Sequence, residues 1–190
     1  RCDVCPLGPK GALRKDEWKP VGCEVHKGAT VLAVAESPDP EEVQHGRPLV
    51  GRSGGEWNRA LAACGHRRLD IDLDHVIACH LPGQASGALR RLSKAVDKLN
   101  RKRVREGQEA VPHPLTCCRP RLLYTAARYP SIITLGKLAT NSLTGVGSSI
   151  QATRGGPMRI THDWSVTTES AETAHRVLPT LHPSFILRSP

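Results

Sequence analysis

Four short apolar runs punctuate the chain, at residues 31–35, 75–78, 131–135 and 177–181. Each has the length of a buried strand, and the first, Val31-Leu32-Ala33-Val34-Ala35, is uninterrupted. Between the runs, apolar residues fall at helical spacing. Trp57, Leu61 and Cys64 mark a helix over 55–64, which puts Cys64 in the core, and further helices fit 119–128 and 137–143. The longest helical pattern covers 86–105, where Leu89, Leu92, Val96 and Leu99 form one stripe. Strands alternating with helices predict an α/β fold with a parallel sheet covered on both faces.

One polar segment interrupts this pattern in a telling place. Directly after the first strand come Glu36 and Glu42, bracketing a turn with two prolines, and then the loop Gly46-Arg47-Pro48-Leu49-Val50-Gly51. Carboxylates at the carboxyl end of a strand, in a stretch read as loop rather than helix, mark a site.

At 190 residues the chain suffices for one domain, 1–190, with its own core. It has no apolar run of membrane-spanning length and no signal-peptide pattern, and seven cysteines is an odd number. A closed disulfide framework is thereby disfavoured, and a cytoplasmic, monomeric protein is expected. The net charge is +9, and residues 83–106 hold eight Lys/Arg against two Asp/Glu, two-thirds of the excess. Arg91, Lys94, Lys98, Arg101 and Arg105 face away from the leucine stripe, interrupted only by Asp97. A charged helix face is ordinarily just solvated; a single-signed one suits phosphates, and DNA is the expected partner. Aromatic residues are scarce, which argues against a stacking platform for single strands.

Cys2-x-x-Cys5, Cys79 and the pair Cys117-Cys118 come from three distant segments. Such a set can hold zinc or an iron–sulfur cluster, and reduced surface thiols are the plainer alternative. A site with four thiolates is structural by default, because every position is filled.

These pieces, in this order, resemble the iron–sulfur uracil-DNA glycosylases, the family-4 and family-5 branches of the uracil-DNA glycosylase superfamily. Cys2-Asp3-Val4-Cys5-Pro6-Leu7 is similar to the family's opening Cys-x-x-Cys-Pro-Leu. Ala35-Glu36-Ser37-Pro38-Asp39-Pro40-Glu41-Glu42 is similar to its GEAPG-x-E-E block, and residues 45–54 match its QGRPFVG-x-AG loop without a gap. Cys79-His80-Leu81-Pro82-Gly83, Cys118-Arg119-Pro120, Ile133-Thr134-Leu135-Gly136 and His182-Pro183-Ser184-Phe185-Ile186-Leu187-Arg188 complete seven motifs.

The resemblance implies a three-layer α/β/α sandwich around a four-stranded parallel sheet. It implies a 4Fe–4S cluster on Cys2, Cys5, Cys79 and Cys118, with Cys117 as an alternative last ligand. It further implies base flipping and hydrolysis of the N-glycosidic bond, with Glu36, Glu42 and His182 catalytic. Ser37, Pro38, Asp39, Leu49, His75 and Ser184 would line the base pocket, and Arg52, Ser53 and Arg188 would meet phosphates. No lysine stands in a matched catalytic position, so no lyase step is expected.

The chain departs from the family where the base is recognised. The phenylalanine that stacks on uracil is Leu49, the uracil-reading asparagine aligns with His75, and the last glycine of GEAPG is Asp39. Asp39 is a residue that tolerates a glycine-like backbone. In the superfamily this position lies beside C5 of the flipped base. A pyrimidine with a polar C5 substituent, such as hydroxymethylated or glucosylated cytosine of phage DNA, is therefore the expected substrate, in a role of defence against phage. Ordinary uracil excision in repair and a non-catalytic DNA-binding module are the alternatives. The link from Cys79 to Cys118 is longer than the family's, so residues 84–114 form a basic helical insertion. His113 falls where one branch of the superfamily carries a histidine that traps DNA covalently, although Pro112-His113-Pro114 does not match that pattern.

Overall fold

The computed structural model describes residues 2–14, 19–81, 87–147, 149–160, 166–167 and 175–188. Pro82, Gly83, Ser86 and the first residues of the expected insertion lie outside these. In chain order the elements are β1 (Val31–Ala35), α1 (Pro40–His45), α2 (Gly51–Ala63), β2 (Ile71–His75), α3 (Ala88–Arg105), α4 (Pro114–Ala126), β3 (Ser131–Leu135), α5 (Lys137–Thr144), α6 (Ile150–Thr153), β4 (Met158–Ile160), β5 (Val166–Thr167), β6 (His175–Thr180) and α7 (Pro183–Ile186). A 3₁₀ turn at Arg68–Asp70 leads into β2.

The uninterrupted apolar run became a central strand. β1 pairs in parallel with β2 on one side and β3 on the other, and Val31 is level with both Ile71 and Ser131. β3 pairs in parallel with β6. The sheet order is β2-β1-β3-β6-β4-β5, so the expected four parallel strands carry an antiparallel extension of two short ones. Two hydrophobic clusters cover the sheet. One holds Leu32, Val34, Leu92, Val96, Leu122 and Ile132; the other holds Ala33, Ala35, Leu49, Trp57, Leu61 and Leu135. No described helix is long and apolar enough to cross a membrane.

Four sequence expectations are corrected. The second strand is Ile71–His75, not 75–78. All five of its residues are buried, including Asp72 and Asp74, which made it look half-solvated. Asp72 accepts from the Tyr129 hydroxyl and the His26 N–H, and Asp74 accepts from Arg121 Nη1 at 2.7 and 2.6 Å and from the His75 N–H at 2.7 Å. Charge is tolerated there because it is paired and hydrogen-bonded. Second, residues 40–45 are helical, because Pro40 stands at the first turn, where a missing N–H costs nothing. Third, Cys64 is exposed; the apolar face of α2 ends at Leu61, and Cys64 caps the helix as the chain turns away. Fourth, Asp39 is extended (φ −87°, ψ 176°), not glycine-like, because it is the N-cap of α1.

Candidate active site

Chain order places the site. From β1 the sheet runs to β2 in one direction and to β3 in the other, so a crevice opens where their carboxyl ends diverge. Glu36 leaves β1, Gly136 leaves β3 and His182 follows β6, all at that edge. A cavity of about 540 Å³ occupies it. Among its lining residues are Glu36, Ser37, Pro38, Asp39, Glu42, Leu49, Ser53, His182, Ser184 and Arg188, as the motifs implied. Ala88 and Leu89 also line it, so the start of the basic helix α3 forms part of its wall.

Glu36 sits at the N-terminus of α5, where its carboxylate accepts the Leu138 N–H. Burial raises its pKa; that N–H and the charge of Arg188 offset the rise only in part. Gly136 makes room for it. Its φ is 93°, and a Cβ added there would lie 3.1 Å from Glu36 Oε1 and 3.6 Å from His182 Cβ. The same measurement shows that Glu36 and His182 flank one point of backbone.

His182 caps α7. Its Nδ1 accepts the Ser184 N–H at 3.2 Å, with the Ser184 hydroxyl 2.9 Å away. A backbone N–H can only donate, so Nδ1 carries no proton and the neutral ring bears its hydrogen on Nε2. Burial pushes the His182 pKa down to about 4, helped by the charges of His75 and Arg188 against the opposing pull of Glu42. The ring is therefore a neutral N–H donor at pH 7.

Glu42 is differently committed. It is 5% exposed. Oε2 accepts the Asp39 N–H at 2.6 Å, while Oε1 accepts the Leu49 N–H and lies 3.3 Å from His75 Nε2. Asp39 Oδ1 returns a bond from the Glu42 N–H at 2.8 Å, closing a capping box. Burial pushes the Glu42 carboxyl up, but His75 and the two backbone donors outweigh it and leave it below its ordinary value. Three of the carboxylate's acceptor sites thus hold the loop. Burial likewise raises the Asp39 carboxyl.

Leu49 has φ +45°, the one described non-glycine residue with positive φ. That conformation costs roughly 1–2 kcal/mol. Leu49 is 2% exposed, and burying such a side chain yields about 1.5–3 kcal/mol, so packing and the Glu42 bond hold it there. Gly54 helps: a Cβ on it would stand 2.0 Å from Leu49 O.

Two expected residues stand apart from the cavity. His75 is fully buried behind Glu42 and is absent from the lining; it braces the loop, and its Nδ1 is buried without a partner. Arg52 is exposed on α2 outside the lining. His113 is also elsewhere. It caps α4 by accepting the Leu115 N–H at Nδ1, and its Nε2 lies 3.2 Å from Ser93 Oγ. Both ring nitrogens are occupied, which leaves no free nucleophile. Arg91, Lys94, Lys98, Arg101 and Arg105 are exposed along α3.

Sequence reasoning missed the supports. Arg68 donates to both Glu24 oxygens, at 2.9 and 2.7 Å, and to the carbonyls of Pro48 and Leu49. Burial pushes the Glu24 carboxyl up, but Arg68 and Arg47 outweigh it and hold it at about 2. Arg121, besides holding Asp74, donates to the His75 carbonyl. No local pattern announces such partners, since they lie 19 to 47 residues apart. His80 lines the cavity too, and its place beside Cys79 in a matched motif was the signal that could have found it.

Cys5 and Cys117 are buried and hydrogen-bonded to one another, and Cys118, near the Ala78 N–H, senses Cys2 and Cys5. Cys79 packs against the same apolar cluster. The tight Cys2–Cys5 turn is fixed by backbone bonds, and a Cβ on Gly8 would strike Cys2 O at 1.8 Å. Burial raises the Cys5 thiol to about 11. Among the described residues no three His, Cys, Asp or Glu side chains already stand in a metal-holding group. The donors suit a thiophilic centre in kind, and Cys117 as well as Cys2 is close enough to act on Cys5.

The family model described as the uracil DNA glycosylase superfamily matches residues 24–190. The first cysteine pair lies outside that match. The chain is 29% identical to a type-4 uracil-DNA glycosylase of Thermotoga maritima, over 100% of this chain and 79% of that protein. It is 35% identical to a type-4 uracil-DNA glycosylase of Pyrobaculum aerophilum over 43% of this chain and 38% of that one. With its cavity at the switch point of a parallel sheet and a match covering all but the first 23 residues, the chain belongs to the uracil-DNA glycosylase superfamily and is a DNA glycosylase.

Proposed function

We propose that the cavity receives a pyrimidine nucleotide flipped out of DNA and hydrolyses its N-glycosidic bond, leaving an abasic site. The observation that carries this reading is His182, a neutral ring whose Nε2–H is fixed by its bond to Ser184 and whose neighbour across Gly136 is Glu36.

Bond cleavage leaves negative charge on the departing base and positive charge on the sugar. The His182 N–H donates to the base carbonyl as its oxygen gains charge, and a fixed neutral donor in a water-poor site needs no reorganisation. Glu36, made more basic by burial, orients water at the sugar and offsets the sugar's charge. Glu42 is a positioning residue: its carboxylate holds Asp39 and Leu49 at the base. None of the described lining residues is lysine, and hydrolysis rather than a lyase step fits the site. Arg52, Ser53, Arg188 and the exposed face of α3, within the insertion 84–114, meet phosphates.

Cys2, Cys5, Cys79 and one of Cys117 or Cys118 would hold a 4Fe–4S cluster. When bound, that cluster ties the N-terminal turn to α4 and the end of β2, a structural service.

The substrate is a C5-modified pyrimidine, such as hydroxymethylated or glucosylated cytosine, and an enzyme removing it would act against phage DNA built from such bases. Three features support this. Leu49 offers no aromatic face, the Asp39 carboxylate lines the cavity where C5 would lie, and His75 is engaged by Glu42 instead of reading a uracil edge. Ordinary uracil excision is the second reading, favoured by the names of both relatives. Oligonucleotides bearing uracil or modified cytosines, treated with the protein and then alkali, decide between them. Strand breaks at modified cytosines are expected; breaks at uracil alone would establish the second reading.

A further inference from the structure

The cavity contains a second histidine whose hydrogen is also placed by a backbone contact. His80 lines the wall beside Pro38, and its Nδ1 stands 2.9 Å from the Pro38 carbonyl oxygen. A carbonyl oxygen only accepts, so the hydrogen of the neutral ring is on Nδ1, and Nε2 carries a lone pair. This is the reverse of His182, whose Nδ1 accepts and whose Nε2 donates. Asp39 supplies further acceptor capacity on the same wall, since the Glu42 and Glu41 N–H groups use only part of what its carboxylate can accept. The cavity therefore offers one fixed ring donor and acceptors from His80 and Asp39.

A pyrimidine's O2 suits the donor. The acceptors call for hydrogens on the base; uracil supplies one at N3–H, but its C4–C5 edge has none, because O4 accepts and C5 bears only a C–H. An exocyclic 4-amino group or a hydroxyl carried on C5 supplies the missing donor. A site that accepts a hydrogen bond discriminates against an analogue that lacks the donor, because the half-buried acceptor is then covered without a partner. We propose that His80 is a specificity-determining residue that accepts a hydrogen bond from a donor on the C4–C5 edge of the flipped pyrimidine, a 4-amino group or a C5-borne hydroxyl. The inference rests on the modified-pyrimidine reading and adds the residue that would enforce it.

The test measures kcat/KM of the full chain on oligonucleotides with a single uracil, 5-methylcytosine (amine only), 5-hydroxymethyluracil (hydroxyl only) or 5-hydroxymethylcytosine (both). Wild type is compared with His80→Phe and His80→Leu, which remove the acceptor, and His80→Gln, whose amide oxygen can replace it. Thermal melting selects the variants that remain folded. Wild type is expected to favour at least one donor-bearing base over uracil. In the folded Phe or Leu variant that preference should fall by about tenfold or more, and Gln should retain most of it. Whether the amine-only or hydroxyl-only substrate shows the fall identifies the donor. A preference unchanged in Phe or Leu, or abolished in Gln, overturns the role of His80 while leaving the substrate reading intact. A wild type that prefers uracil to every donor-bearing base overturns the substrate reading, and this inference with it.

Discussion

His182 and Glu36, to which the proposed hydrolysis assigns the base and the sugar, are shifted by their surroundings in directions that suit those roles. Burial lowers the imidazole to about 4 and raises the carboxyl. Substituting His182 with Ala should lower kcat about 100- to 1,000-fold, as removal of a single preorganised donor does elsewhere, with little change in melting temperature. The pH dependence has a definite sign. The folded pKa of His182 lies below its unfolded value of 6.5, so its stabilising contribution is complete above pH 6.5 and is lost as pH falls through about 4. Glu36, raised above its ordinary 4.5, protonates before His182 as pH falls, so single-turnover rates should decline first with Glu36 and lose a further component near 4 that is missing in His182→Ala. Gly136→Ala combines an unfavourable φ with a Cβ 3.1 Å from Glu36 Oε1. It should destabilise by about 1–2 kcal/mol and reduce kcat more than KM, a split readable from steady-state kinetics.

At the scale of elements, the loop after β1 is held from behind. Arg68 joins Glu24 to the carbonyls of Pro48 and Leu49, while Glu42 holds the Leu49 N–H from the other side. Removing one partner of such a partly buried pair leaves the other without compensation. Arg68→Met should cost about 2–4 kcal/mol and raise KM as the loop shifts, measurable by urea melts and kinetics. Glu24 has the opposite sign of pH dependence from a raised group. Its folded value, about 2, lies below its ordinary 4.5, so the contribution is present above 4.5 and lost as pH falls through 2. The basic helix α3 presents a different kind of evidence. If Lys94, Lys98, Arg101 and Arg105 contact phosphates, replacing all four with Gln should reduce the slope of log affinity against log salt by about 0.9 for each contact made on duplex.

α2 and α4 illustrate how much of the fold was legible. Their apolar spacing announced helices, yet α2 starts at Gly51 and α4 at Pro114, four and five residues before the patterns do. The His113 ring caps the start of α4 and is not an obvious capping residue, whereas α2 begins after Val50 with no side-chain cap. β2 was misplaced because its aspartates are satisfied by partners from other elements. The site residues named by motif mostly converged on one cavity, but His75 and Glu42 converged on each other.

For the whole molecule, the sheet brings three thiol-bearing segments to one flank of the apolar cluster that also supports the cavity. A purified chain holding the cluster should absorb in the visible range, and Cys5→Ser should abolish that band and lower the melting temperature. Cys117→Ser and Cys118→Ser, compared by the same spectrum, identify the last ligand; Cys64→Ser, an exposed thiol, serves as the control.

The sequence by itself determined the alternation of strand and helix, the identity of the chemical groups and their order along the chain, because these follow from periodicity, residue type and motif. Only the tertiary structure decided which groups face the cavity and in what protonation or tautomeric form. It made His182 a donor and His80 an acceptor, and turned Glu42 and His75 inward as supports. The reason is physical: a hydrogen's position on an imidazole and the burial of a carboxylate depend on backbone atoms and side chains brought together from distant parts of the chain, and those contacts exist only after folding.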